Sequence, residues 1–145
     1  MRRRQILLAL PFAFAAGAAL ASEEPKKDSG GQYVDLAPIA LPIVVNGRLV
    51  NYVFCSLRIN LTPSADAAKV RTKEPWFRDA IIRAGHRTPF TLATDYTKVD
   101  EARLKATLLR EAGAIAGARN ILSVTLTSQM PKQRARLPRP AAAAR

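Results

Sequence analysis

The sequence predicts an α+β fold: a mixed, mostly antiparallel sheet of about four strands with two main helices on one face. Three observations predict it. Arg48 to Leu61 is the longest unbroken run of strand-forming residues. Two later stretches repeat apolar residues at helical spacing, Phe77, Ala80, Ile81, Ala84 and then Leu104, Leu108, Ala112, Ile115. Strand patterns stand on both sides of those helices, so the order reads strand, strand, strand, helix, helix, strand.

In chain order, Tyr33 to Leu36 makes a short strand, Pro38 and Pro42 restrict the next piece to extended or edge geometry, and Ile43 to Val45 gives a second strand. Asn46-Gly47 is the strongest turn signal, because both residues tolerate the positive φ of a tight hairpin. In the long strand, Leu49, Val53, Cys55, Leu57, Ile59 and Leu61 fall on one side, with Asn51 the single polar intruder; Val50, Tyr52, Phe54, Ser56, Arg58 and Asn60 fall on the other. Fourteen residues at roughly 3.4 Å each would span about 48 Å, well beyond a usual strand, so a bend or bulge is expected within it.

After Leu61, Thr62-Pro63-Ser64 stops the strand, and Ser64 or Thr62 is expected to cap a helix over Asp66 to Lys73. Pro75 suits the first turn of a new helix, which carries the Phe77 stripe and is expected to end at Gly85. His86 to Tyr96, with Pro89 inside it, reads as irregular. Thr97 and Asp100 offer start signals for the helix that carries the Leu104 stripe, and Gly117 is its stop. Leu122, Val124 and Leu126 alternate with Ser123, Thr125 and Thr127 as a strand buried on one side. Leu57, Ile81, Leu108 and Val124 are therefore expected in one interior.

Residues 1–21 are expected to be an export signal. Arg2, Arg3 and Arg4 precede an apolar segment from Ile6 to Ala21, and Ala19, Ala21 and Ser22 frame the expected cleavage. A retained N-terminal anchor is the alternative, although a helix from Ile6 to Ala21 reaches only about 24 Å against a hydrocarbon core of about 30 Å. Arg3-Arg4-Gln5-Ile6-Leu7 also looks like a twin-arginine leader. Residues 22–32 read as a polar linker, 33–130 as the folded domain and 131–145 as a flexible basic tail of Lys/Arg, proline and alanine. The formal charge of +12 attracts anionic surfaces, and Lys132, Arg134, Arg136 and Arg139 are the candidate contacts to lipid headgroups or cell-wall polymer.

Residues that carry chemistry are sparse. Cys55 is the only cysteine, which excludes an intramolecular disulfide, and its place on the apolar strand face reads as a small buried hydrophobe. His86 is the only histidine and reads as a loop residue after a helix end, so no imidazole-rich metal site can be assembled. Nucleophile-elbow, phosphate-loop and dinucleotide motifs are absent. Asp95, Asp100 and Glu101 cluster near a helix start, where the dipole favours negative charge; a small hydrolase built on such carboxylates is the remote alternative. Gly113 and Gly117 form a Gly-x-x-x-Gly match in a helix too charged to span a membrane. Tyr52, Phe54 and Arg58 could stack single-stranded nucleic acid, but aromatics on a strand more often pack, and nucleic acid is not the expected partner. No enzyme activity and no cofactor are expected.

Several segments stand in a suggestive order. They are Tyr33-Val34-Asp35-Leu36, then Pro42 to Arg48 and the long alternating strand, Arg78-Asp79-Ala80-Ile81-Ile82, Leu104-Lys105 through Leu109, and a closing strand ending in Ser128-Gln129. That order, over residues 33–130, resembles the periplasmic domain of the flagellar basal-body-associated FliL family. The resemblance implies a stomatin-like fold and a non-enzymatic periplasmic scaffold, which binds a flagellar stator or basal-body protein and forms rings of its own copies. Two features depart from the family pattern: the leader looks cleavable where members keep an anchor, and the basic tail continues beyond the last strand.

Overall fold

Asn46 and Gly47 take φ values of 50° and 73°, the left-handed backbone of a tight hairpin turn. In the computed structural model, which describes residues 31–140, that turn joins β1 (Tyr33–Val45) to β2 (Arg48–Leu61). The chain continues through α1 (Ala67–Arg71), α2 (Glu74–Arg87), β3 (Thr91–Leu92), β4 (Asp95–Val99), α3 (Glu101–Ala116), a 3-10 turn at Ala118–Asn120, and β5 (Ile121–Pro131). The expected leader with its expected cleavage site at Ala19, Ala21 and Ser22, the expected linker up to residue 30 and residues 141–145 lie outside the described residues.

The fold is α+β. β1, β2 and β5 form one antiparallel sheet in the order β1-β2-β5, and β3 pairs with β4 in a separate two-stranded ribbon. The main sheet has three strands, because the two short strands expected around Pro38 and Pro42 are one edge strand, and β1 and β5 both run antiparallel to β2. On an edge strand a proline's missing N–H need not interrupt the ladder. Bulges bend the hairpin: β1 has an extra residue between Leu36 and Ile39, and β2 has one at Val50, between Leu49 and Asn51.

The bulges also correct two side-chain assignments. Beyond Val50 the alternation of β2 flips, and Leu49, expected inside, is 52% exposed. Leu122 is the unpaired residue between Ile121 and Ser123 where β5 meets the end of β2, and it is 63% exposed. Val53, Cys55, Leu57, Ile59 and Leu61 face inward as predicted. α2 lies over β1 and α3 over β5, the two helices touch, and Leu57, Ile81, Leu108 and Val124 share one core. Each large side chain fully buried there contributes about 1.5–3 kcal/mol of hydrophobic stabilisation.

Local signals place the helices. Asp66, not Ser64 or Thr62, caps α1 by accepting from Lys69 N at 3.1 Å. Thr62 donates instead to Arg119 O at 2.9 Å. Pro75 sits in the first turn of α2. This helix runs two residues past Gly85, so His86 belongs to its last turn rather than to a loop. Gly85 is there for space: a Cβ would lie 3.0 Å from Leu41 Cδ2 and 3.4 Å from Phe90 Cε2. Asp100 caps α3 by accepting from Arg103 N at 3.1 Å, and Gly117, at φ 90°, ends it.

The segment expected to be irregular contains β3 and β4. The Thr91 hydroxyl donates to Val44 O and accepts from Val44 N, both at 3.0 Å, and Tyr96 and Val99 are buried. The tail is held at its start. Pro131 still pairs with Val53, Lys132 N donates to Tyr52 O at 2.8 Å, and Leu137 is half-buried against the core. Of the described residues, no helix is long and apolar enough to cross a membrane.

Candidate functional site

Helices cover one face of the main sheet; among the described residues no helix or strand packs on the other. Its centre is the outward row of β2, Tyr52, Phe54, Ser56, Arg58 and Asn60. Register decides what stands beside each, since directly paired residues share a face. Phe54 lies between Ala40 and Met130, Tyr52 beside Pro42, and Arg58 between Asp35 and Thr125. Two zones result.

The first zone is apolar and exposed, with Phe54 at 43% and Met130 at 61% of full exposure. Large apolar side chains grouped on an open face mark a surface for a partner more often than scattered ones do. The second zone is polar and already ordered. Arg58 forks onto Asp35, with Nε 2.7 Å from Oδ1 and Nη2 3.2 Å from Oδ2. Its Cζ also lies 3.9 Å from the centroid of the Tyr33 ring. Asn60 Nδ2 donates to Ser123 Oγ at 2.9 Å and to Thr125 Oγ1 at 3.0 Å. A depression of about 270 Å³ beside this zone is lined by Tyr33, Arg58, Asn60 and Leu122, among others. An apolar patch next to preformed polar groups has the make-up of a protein-binding face, with an anchor to be buried and a rim to fix orientation.

The outer edge of β1 is less accessible. Thr91 occupies both backbone groups of Val44, and Glu74 Oε1 accepts from Ala37 N at 3.2 Å. Side chains on an edge in this way block the addition of a further strand. The open surface is therefore the face rather than that edge. No family model and no curated protein matches this chain.

The residues singled out from sequence fall in separate places. Lys132, Arg134, Arg136 and Arg139 are all exposed along the segment after β5. Asp95 accepts from the backbone and hydroxyl of Thr97, and these hydrogen bonds, the hydroxyl's first, hold its carboxyl below the usual range. Asp100 is the α3 cap, and Glu101 pairs with Lys105 at 3.1 Å. Each of the three acids thus has a local structural partner. His86 Nδ1 lies 2.9 Å from Ile82 O, a geometry that suits an Nδ1–H donor. Cys55 is fully buried, and burial pushes its thiol up to about 12. Among the described residues no three His, Cys, Asp or Glu side chains gather as a metal site would need.

The Asp35–Arg58 pair was not foreseen, although a signal for it exists. Asp35 is as far before Asn46 as Arg58 is after Gly47. One bulge adds a residue to β1 and the other adds one to β2, so they cancel and the simple hairpin count survives. Asn51, the polar intruder, is the residue whose importance sequence understated. Its Nδ2 donates to Tyr96 O and Gln133 O, both at 3.0 Å, and its Oδ1 accepts from Tyr52 N and Gln133 N at 2.9 and 3.1 Å.

Proposed function

We propose that this chain is a non-enzymatic, exported scaffold of the FliL type. It acts in the periplasm, where it binds a flagellar stator or basal-body protein through the open face of its sheet and associates with further copies of itself. The observation that carries the reading is the pair of exposed apolar side chains, Phe54 and Met130, side by side on the sheet face away from the helices and flanked by the Asp35–Arg58–Tyr33 group. An aromatic residue at the centre of such a patch is the usual anchor, and replacing it with a charge removes about 2 kcal/mol or more of binding.

The test is calorimetric titration of the purified protein with the periplasmic linker of the host's stator. Binding is expected, and Phe54→Asp should weaken it by at least about thirtyfold while the fold, read by circular dichroism, is retained. No binding by the unaltered protein, together with undiminished swimming in a host that lacks it, would overturn the proposal.

A second reading is favoured by the four exposed cations Lys132, Arg134, Arg136 and Arg139, which have no acidic residue among them in sequence. In it the segment after β5 docks on anionic lipid or cell-wall polymer, at about 1 kcal/mol per basic residue near the surface. Sedimentation with vesicles containing anionic lipid should then fall steeply as salt rises, and fall equally when Arg134, Arg136 and Arg139 are replaced by Gln.

A further inference from the structure

On the opposite side of the molecule from the open sheet, α2 and α3 pack side by side and leave a cleft of about 380 Å³ between them. Arg87 and Thr88 at the end of α2 stand on one wall, Arg103, Thr107 and Arg110 of α3 stand on the other, and Ala84 and Phe90 contribute apolar lining. The α3 residues follow one another at four and three positions, so they form a single stripe along that helix. Three guanidinium groups and two hydroxyls therefore line one cleft.

The nearby acids are already engaged. Glu111 pairs with Arg110 at 3.0 Å, Glu101 with Lys105 at 3.1 Å, Asp79 with Arg83 at 2.6 Å, and Asp100 caps α3. Among the described residues, Arg87 and Arg103 have no carboxylate within 4.0 Å. Helix electrostatics explain one of these and not the other. Arg87 lies in the last turn of α2, where a cation is favoured, but Arg103 lies in the first turn of α3, where the positive end of the helix disfavours it. Asp100 and Glu101 in that same turn offset the helix field, but neither forms an ion pair with Arg103, whose guanidinium keeps its hydrogen-bonding capacity for a ligand.

We infer that the cleft between α2 and α3 is a binding site for a phosphate monoester. Guanidinium forks match the oxygens of a phosphate, the Thr88 and Thr107 hydroxyls supply further donors, and Phe90 with Ala84 offers apolar surface to the organic group. The volume is that of a small-ligand site and exceeds what a bare ion needs. A soluble ester and a lipid headgroup present the same phosphate, and the chemistry of recognition is the same for both. The site is separate from the sheet face and from the segment after β5.

The test is amide-resolved NMR of the full-length protein at fixed ionic strength, titrated with glycerol 1-phosphate, and in parallel vesicle sedimentation with phosphatidylcholine containing phosphatidic acid. Saturable shifts are expected at Arg87, Thr88, Arg103 and Thr107. Arg87→Gln with Arg103→Gln should weaken binding by about a hundredfold, one decade per charged hydrogen-bonding partner. Arg134→Gln with Arg136→Gln should leave the shifts unchanged. Saturation by the soluble ester assigns a free ligand; vesicle binding that the cleft variant loses and the Arg134/Arg136 variant keeps assigns a headgroup. Absence of both, or shifts that persist in a cleft variant whose spectrum shows it folded, would overturn the inference.

Discussion

Asn51 and Cys55 face the same interior from one strand and carry opposite kinds of constraint. Asn51 uses both of its amide atoms twice, and so ties β2 to Tyr96 of β4 and to Gln133 beyond β5. Asn51→Leu fits the apolar surroundings but leaves those backbone groups unpartnered, and stability should fall by about 2–3 kcal/mol in urea denaturation. Amide exchange at Gln133 should accelerate as well, which a simple packing defect would not produce. Cys55 is constrained through its ionisation. Burial holds its thiol protonated up to about 12, whereas the ordinary value is 9.0. Between those two pH values the unfolded chain has lost the proton and the folded chain keeps it, so stability declines as pH rises through the window, by about 1.4 kcal/mol per pH unit. The Cys55→Ala protein should lack that added slope, and an alkylating reagent at neutral pH should leave native Cys55 unmodified. Sequence placed Cys55 correctly, because period-two alternation reports burial; it could not place the partners of Asn51, which come from segments far along the chain.

At the level of elements, local chemistry was legible and long-range pairing was not. The Asn46-Gly47 turn, the Pro75 restart, the Asp100 cap and the Gly117 stop are each set by one or two residues, and the chain shows them in place. β3 escaped notice because it has only two residues, and its anchorage comes from Thr91 clasping Val44 across the fold. The open face and the arginine cleft depend on register and on helix pairing, neither of which periodicity reports. Gly85 shows the difference: it resembles a helix stop in sequence, yet it is a point of close approach between α2 and β1. Gly85→Ala would gain about 1 kcal/mol of helix propensity. That gain meets the crowding of Leu41 and Phe90, so the net change should be small. Gly85→Leu has no such room, and should lower stability by about 1–3 kcal/mol through overpacking, measurable as a shift in the denaturation midpoint.

For the whole molecule, the decisive feature is that the last strand closes beside the second. β5 pairs with β2 from Leu61 to Val53, so the sheet and the core under it remain incomplete until residues 121–131 arrive. Without them Ile121 and Val124 leave the core, α3 loses the strand it packs on, and one whole edge of β2 stands unpaired. A chain cut after Asn120 should therefore lose its cooperative thermal transition, because the hairpin and helices of the described residues share one core that β5 completes. A synthetic peptide of residues 121–131 should restore that transition by adding a strand in trans, the backbone bonds giving affinity and Ile121 and Val124 giving register. A peptide with Val124→Asp should fail, since register alone cannot compensate for a charge placed in the core. If the shortened chain melts as sharply and at the same temperature as the intact one, the sheet is complete without β5, and the coupling between the segment after β5, Asn51 and the β3–β4 ribbon has no structural basis.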